Sequence, residues 1–152
     1  MPETQNNVNE EKYLIFSIFG RHYAFPAQII GEVANSDPLY TLPLLPPYVL
    51  GFINRYSIPY ALFDTGFLLS QMPGPRNEAL VITGDIDRVA FAIEKVTGIA
   101  DIGLDKLRDV GTETGSDVLS NTVYTSFTWN DDDVYVLDVR RLLARIGDEA
   151  VQ

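Results

Sequence analysis

Short apolar runs separated by turn-forming residues dominate the first part of the chain. Tyr13–Phe19 is dense in aromatic and β-branched residues, Gly20 follows, and Tyr23–Phe25 resume the apolar pattern. Since Gly20 permits the positive φ of a tight turn, this stretch predicts a β-hairpin. After Pro26 we expect one helical turn and then a strand that ends at Ala34.

Prolines interrupt the next stretch and predict a loop, because each removes a backbone donor and restricts the residue before it. They are Pro38, Pro43, Pro46 and Pro47. We expect three leucines of this loop to reach into the core: Leu42, Leu44 and Leu45. The segments GFIN and SIPYALF then predict two strands, and Pro59 indicates that the second strand lies at an edge or a bulge.

The second half of the chain repeats the hairpin pattern. Residues 71–78, QMPGPRNE, are the predicted linker, and ALVITGDIDRVAFAIEKV predicts a hairpin that turns at Gly84–Asp87. Val96–Ile102 continues the extended pattern, whereas residues 107–121 are rich in Gly, Ser and Thr and predict a loop. A third hairpin is expected from Val123–Trp129 and Val134–Leu137.

Asp64 and Asp138 occupy equivalent places in two similar segments. YALFDTGFLL (60–69) and YVLDVRRLL (135–143) both contain an apolar strand end, an Asp, and a Leu-Leu pair four and five residues after that Asp. We expect each Asp to cap a helical turn rather than to act in catalysis, because its side chain can accept from free N–H groups of the first turn. Four apolar residues follow Asp138 at helical spacing: Val139, Leu142, Leu143 and Ile146.

The composition fits a globular protein with a core. The chain has 152 residues, of which 46% are apolar and 21% charged. No apolar stretch reaches the roughly 18 to 20 residues that span a bilayer, so we expect no membrane insertion. The N-terminal segment MPETQNNVNEEK is polar and acidic, unlike a secretory signal. Residues 1–11 are therefore interpreted as a disordered acidic tail of a cytoplasmic protein.

The charge and the missing residue types argue against several functions. The 21 acidic residues outnumber the 11 basic ones, and the formal charge of -10 would repel nucleic acid. The chain has no cysteine and His22 is its only histidine, so a zinc site cannot be assembled and a histidine-based triad would depend on His22 alone. Nucleotide-binding glycine motifs are also missing. The sequence predicts no catalytic residue, no metal and no cofactor.

The carboxylates leave two alternatives open. Asp131–Asp133 lie in an expected hairpin turn, as do Asp85 and Asp87, where solvated charge is the ordinary interpretation and calcium binding the rare one. A hydrolase that uses a pair of carboxylates is one alternative, and a barrel that senses a small molecule is the other. Trp129 stands beside the acidic turn and is interpreted as a packed strand residue rather than a ligand platform.

Five segments stand in a recognisable order: YLIFSIFGRHYAFPAQIIGEV, LPLLPPYVLGFIN, YALFD, AFAIEKVTGI and YVLDVRRLL. In this order they resemble the CheW-like domain, the adaptor fold of bacterial chemotaxis, over residues 12–147. The resemblance implies an all-β fold of two small five-stranded SH3-like β-barrels packed together, with short helices including one at the C-terminus. It also implies that residues 71–78 divide the barrels only approximately, since strands near the C-terminus can return to the first barrel.

The resemblance further implies a noncatalytic adaptor that couples chemoreceptors to a CheA-type histidine kinase in chemotaxis or chemosensory motility. The family segment after the second strand, expected to contact the regulatory domain of the kinase, matches Ile30, Glu32 and Val33. The expected contact with the cytoplasmic tip of the chemoreceptor is formed by Arg55, Tyr56 and Ser57.

A signature of the family falls on Gly51 and Asn54, which match G-x-[IV]-N. We interpret Asn54 as structural, its amide satisfying backbone groups where the chain turns between strands. Family members continue N-L-R-G-x-I-x-P-V-x-D-L, whereas Tyr56 stands here at the arginine position and Ser57 at the glycine position. Arg55 can substitute by a shift of one residue, so the resemblance indicates a divergent member with an altered receptor contact.

Tyrosines crowd the region around this signature: Tyr40, Tyr48, Tyr56 and Tyr60. Tyrosine is a favoured interface residue, because it buries a large area with few rotatable bonds. The other interpretation is that these tyrosines are partly buried barrel residues.

Overall fold

The fold consists of two β-sheets and short helical segments. The computed structural model describes residues 9–84, 86, 88–109 and 122–144. In chain order its strands are β1 (Glu10–Ile18), β2 (Arg21–Pro26), β3 (Ile30–Asn35), β4 (Val49–Arg55), β5 (Ile58–Asp64), β6 (Glu78–Ile82), β7 (Val89–Ile93), β8 (Lys95–Gly103), β9 (Arg108–Asp109), β10 (Val123–Trp129) and β11 (Asp132–Leu137). Helix α1 (Thr65–Ser70) follows β5, single 3₁₀ turns cover Ala27–Ile29 and Leu104–Lys106, and residues 139–144 are helical.

The strands pair into a six-stranded sheet with the order β8–β1–β2–β11–β10–β9 and a five-stranded sheet with the order β3–β6–β7–β5–β4. The predicted all-β fold of two packed β units is confirmed, with the two-residue β9 as a sixth strand in the first sheet. Strand β11 pairs in parallel with β2, so the C-terminal strands return to the first sheet as expected. In neither strand order are the two end strands neighbours, so the described ladders are open sheets.

All three predicted hairpins form. Strand β1 pairs with β2, β6 with β7 and β10 with β11, each time antiparallel. In the turn between β1 and β2, Phe19 and Gly20 have φ of 54° and 78°. Positive φ at both positions is what a two-residue turn needs to match the twist of its strands. The predicted helical turn after Pro26 and the strand that follows it are also present.

The main core lies between the two sheets. Phe25 of the first sheet packs against Phe16 beside it and against Phe91 of the second sheet, with ring centroids 5.3 and 5.6 Å apart. Leu68 of α1 and Leu142 of the C-terminal helical segment are buried in the same cluster. Because both sheets share these contacts, the hydrophobic effect holds them together as one unit.

The expectation that the proline-rich loop reaches the core is wrong for two of its leucines. Leu42 and Leu44 are exposed, Leu44 completely at 100%. The loop runs along the outside of the second sheet, where Tyr40 exchanges two backbone hydrogen bonds with Phe52 of β4, at 2.8 and 2.7 Å. Pairing with an end strand therefore keeps this part of the loop at the surface.

Two predicted boundaries also need correction. Residues 71–78 do not separate the sheets, because β3–β5 before them and β6–β7 after them belong to the same five-stranded sheet. The tail predicted for residues 1–11 is too long, since β1 begins at Glu10 and Glu11 pairs with Ile102. Residues 1–8, most of the predicted loop 107–121, and Ile146 lie outside the described residues.

Candidate partner-binding surface

Strand β3 carries the residues expected to contact the kinase, and it is an end strand of the five-stranded sheet. Ile30 packs partly against the main core. Glu32 is half-buried, and a register shift against β6 lies between Ile30 and Glu32. Val33, opposite Leu80, is 42% exposed. Of the three predicted residues, Val33 therefore offers the most accessible apolar surface.

The hairpin of β4 and β5 carries the residues expected to contact the receptor. Tyr56 and Ser57 form its two-residue turn, with φ of 54° and 65°. Glycine and asparagine normally fill such positions, because other side chains crowd the backbone at positive φ. Tyr56 is 85% exposed. The turn thus projects its ring away from the sheet.

Glu32 and Arg55 are in direct contact. The Arg55 Nε donates to Glu32 Oε1 at 3.2 Å, and Nη2 donates to Oε2. The hydrogen bond to Glu32 raises the pKa of Arg55 above its ordinary value. The same guanidinium lies over the ring of Tyr56, with Cζ 5.5 Å from the ring centroid. One ion pair therefore links the two end strands of the sheet and supports the exposed ring.

This contact unites two surfaces that the sequence kept apart. Glu32 and Arg55 are 23 residues apart in the chain, and their opposite charge was the only signal that they could pair. We call the combined surface the β3–β4 face: Ile30, Glu32, Val33, Arg55, Tyr56 and Ser57.

Gly51 and Asn54 both lie on β4. Gly51 has a φ of 151°, and a Cβ at this position would stand 2.4 Å from the carbonyl oxygen of Tyr40. Glycine thus lets the loop approach β4 closely enough to pair with it. Asn54 is exposed and opposes Pro59 in the ladder. A structural role for its amide stays a prediction.

Asp64 and Asp138 each accept backbone hydrogen bonds at the start of a helical segment. The Oδ1 atom of Asp64 accepts a hydrogen bond from the N–H of Phe67 at 3.0 Å, at the start of α1. The Oδ1 atom of Asp138 accepts from two N–H groups of the next turn, at 2.9 and 3.3 Å. Asp64 is the one buried carboxylate among the described residues, and backbone donors occupy its oxygens. A catalytic pair of buried carboxylates gains no support from this geometry.

The four tyrosines divide between the two roles left open for them. Tyr48 is buried and its ring stacks on Phe63, with centroids 6.5 Å apart. Tyr40 and Tyr56 are exposed, and Tyr60 is intermediate. Only the two exposed rings are free to bury a large area against a partner.

A cavity of about 530 Å³ opens between the two sheets. It is bordered by the end of β2 with the following 3₁₀ turn, the end of β6, and the junction from β11 to the C-terminal helical residues. A hydrogen bond of 2.8 Å from the N–H of Thr83, just after β6, to the carbonyl oxygen of Ile29 connects β6 to the 3₁₀ turn. Burial raises the pKa of Tyr124 at its edge. A small-molecule site was an alternative interpretation of the sequence, but no sequence pattern indicated the lining residues, because the walls of the cavity come from distant segments.

The acidic turn of the first sheet is solvated and paired. His22 Nδ1 lies 3.7 Å from Asp132 Oδ2, and Arg108 Nη2 lies 3.1 Å from Asp133 Oδ1. The ring of Trp129 packs over β8, as expected for a packed strand residue, since a Cβ on Gly98 would meet it at 2.8 Å. Within the described ranges, no group of three or more acidic or histidine side chains could hold a metal ion. Asp85 and Asp87 lie outside those ranges.

No helix in the part of the chain that the structure describes is long and apolar enough to cross a bilayer.

Comparisons with known proteins bear on this fold. The sequence model of the CheW-like domain matches residues 12–147. The crystal structure of the scaffolding protein TtCheW from Thermoanaerobacter tengcongensis is similar, with a TM-score of 0.77 and 14% sequence identity over 87% of this chain and 86% of that chain. At this identity the structural likeness concerns the fold alone. No curated protein matches the sequence significantly.

Proposed function

Because this chain belongs to the CheW-like domain family, we propose that it is a noncatalytic adaptor that couples chemoreceptors to a CheA-type histidine kinase. The observation that carries the proposal is the family match over residues 12–147, which spans both sheets and the whole β3–β4 face. The adaptor acts in the cytoplasm, needs no cofactor, and works by presenting fixed surfaces to its partners.

The β3 half of the face binds the regulatory domain of the kinase in this proposal. Val33 supports the assignment, because an exposed β-branched residue on an end strand offers apolar area without a role in the core. The hairpin half, around Tyr56, binds the cytoplasmic tip of the receptor. Since Glu32 and Arg55 connect the two halves of the β3–β4 face, both partners bind on one side of the second sheet.

The test of the kinase site replaces Val33→Asp and measures pulldown of the cognate kinase. A buried charge at the interface should abolish binding, whereas the free energy of unfolding should change by only about 0.5 kcal/mol, as for other surface substitutions. The matched control is Ile99→Asp, because Ile99 is also β-branched, lies on β8 of the first sheet and is 60% exposed. Kinase binding that survives Val33→Asp, or that is lost equally with Ile99→Asp, would show that the site is assigned wrongly.

The cavity between the sheets favours a second candidate function, the sensing of a small molecule. Its volume of about 530 Å³ falls within the range of roughly 300 to 1,000 Å³ that ligand sites occupy. Its walls combine aliphatic residues with hydroxyl, amide and charged groups: Ile29, Ile82, Val139, Thr83, Gln28 and Arg140. Such a mixture suits a ligand that is apolar on one side and polar on the other.

An environment-sensitive dye, anilinonaphthalene sulfonate, tests this second candidate. Its fluorescence should rise when the folded protein is added, and should be lower with Thr83→Trp, because Thr83 lines the cavity and a tryptophan there would fill part of it. Leu44→Trp is the control, because Leu44 is fully exposed on another surface. Dye fluorescence that is equal in the two variants would remove the support for a ligand site.

A further inference from the structure

The ring of Tyr56 is presented to solvent in an unusual way. It is 85% exposed, more than Phe19 at 58%, although Phe19 also occupies a two-residue hairpin turn. Exposed aromatic rings that protrude from a rigid element are typical anchors of protein interfaces, since they bury a large area at small entropic cost. The Tyr56 turn is therefore a candidate anchor.

The backbone under this ring is strained. Tyr56 and Ser57 both have positive φ, and neither is glycine or asparagine. A single such residue costs about 1 kcal/mol or more relative to the ordinary regions. The turn between β1 and β2 lowers this cost by placing Gly20 at its second position. Strain that persists without such relief is characteristic of functional sites.

The ring is also held in place. The guanidinium of Arg55 lies over it at 5.5 Å, and Glu32, on the end strand at the opposite end of the sheet order, fixes that guanidinium. A side chain that is ordered before binding loses less entropy when a partner covers it. This support makes Tyr56 a preorganised contact.

The two charges beside the Tyr56 turn neutralise each other. Glu32 and Arg55 form an ion pair, and the nearby exposed side chains Val33 and Ile58 are apolar. The net charge of -10 for the whole chain would favour a basic partner. The local surface instead suits an uncharged one, because a charged partner would find no unpaired opposite charge on Glu32 or Arg55.

We infer that Tyr56 anchors the receptor by inserting its ring into an uncharged apolar cleft of the receptor tip. The inference rests on the proposed function and adds the chemistry of the contact. Arg55 acts as a positioning residue, with its guanidinium directed to Glu32 and Tyr56 and not to the partner.

Titration of the chain with purified cytoplasmic receptor tips, and separately with the kinase regulatory domain, tests this contact. Tyr56→Ala should weaken receptor binding roughly tenfold or more, as loss of an interface anchor does. Tyr56→Phe should bind nearly as the wild type does. Tyr56→Asn should also lose binding, although asparagine suits the positive φ and should leave the fold at least as stable. Phe19→Ala is the matched control on the other sheet and should leave binding unchanged.

Ionic strength separates an apolar anchor from a charged contact. Wild-type affinity for the receptor tip should change less than about threefold between about 0.05 and 0.5 M NaCl, because salt screens exposed charges but not apolar contacts. A steep loss of receptor affinity with rising salt, or receptor binding that survives Tyr56→Ala, would overturn this inference but leave the proposed function standing. If Tyr56→Ala loses kinase binding but keeps receptor binding, the assignment of Tyr56 to the receptor is overturned. A wild-type chain that binds neither partner would overturn the proposed function and this inference with it.

Discussion

Both carboxylate oxygens of Asp64 accept a hydrogen bond from the backbone N–H of Gly74, at 3.2 and 3.1 Å. The same carboxylate caps α1 through the N–H of Phe67 at 3.0 Å. Gly66 and Gly74 approach so closely that a Cβ on either would stand 2.7 Å from the Cα of the other. One buried carboxylate thus joins the helix to the segment that leads into β6.

Asp64→Ala should lower the free energy of unfolding by about 3 kcal/mol, since it removes a cap and leaves the partly buried N–H of Gly74 without its acceptor. Asp64→Asn should cost less, because its amide keeps one acceptor oxygen. Asp138→Ala is the control, because Asp138 is a partly exposed cap whose loss should cost about 1 kcal/mol. Urea denaturation measures all three. Equal losses for Asp64→Ala and Asp138→Ala would contradict the role of the Gly74 contact.

Gly51→Ala should destabilise the fold by about 3 kcal/mol, through a forced contact and an unfavourable φ. A Cβ there would meet the carbonyl oxygen of Tyr40 at 2.4 Å and disturb its pairing with Phe52. Gly20→Ala provides the comparison, because its φ of 78° is also positive but no atom lies within 4 Å of the added Cβ. Its cost should be only about 1 kcal/mol. Thermal unfolding that ranks the two variants in the opposite order would refute this account.

Ser57→Gly should stabilise the protein by about 0.5 to 1 kcal/mol, because glycine relieves the strain at a φ of 65°. The same substitution at Ser70, the last residue of α1, should destabilise instead, since it removes the hydrogen bond that Ser70 Oγ donates to the carbonyl oxygen of Gly66 at 2.8 Å. Denaturant midpoints of the two variants give the comparison. A loss of stability in Ser57→Gly would mean that the serine side chain has a structural role that outweighs its strain.

Stability should fall with rising pH between about pH 10 and about pH 12. Burial raises the pKa of Tyr13 to about 12, with smaller contributions from Tyr124 and Glu11. The unfolded chain therefore loses the Tyr13 proton first, and this shifts the equilibrium toward unfolding until the folded pKa is reached. Tyr13→Phe should reduce this dependence, as urea denaturation at about pH 9 and about pH 11.5 would show. An identical pH dependence in the variant would rule out Tyr13 as its source.

Local patterns in the sequence determined most of the elements of this protein. The alternation through Val89, Phe91 and Ile93, and the turn residues around Gly20, predict hairpins because strand periodicity and turn geometry are properties of a few consecutive residues. The caps at Asp64 and Asp138 follow for the same reason, since a cap involves only the next two or three N–H groups. The order of five segments was sufficient to indicate the family.

Only the tertiary structure decided how these elements combine. Three features depend on how distant segments pack: the contact of Glu32 with Arg55, the cavity between the sheets, and the exposure of Leu42 and Leu44. No local pattern reports such pairing, because a strand edge can accept any register that buries its apolar face. The sequence by itself determined which segments become strands and which aspartates become caps. Long-range packing alone brought the ion pair of β3 and β4 against the ring of an exposed tyrosine.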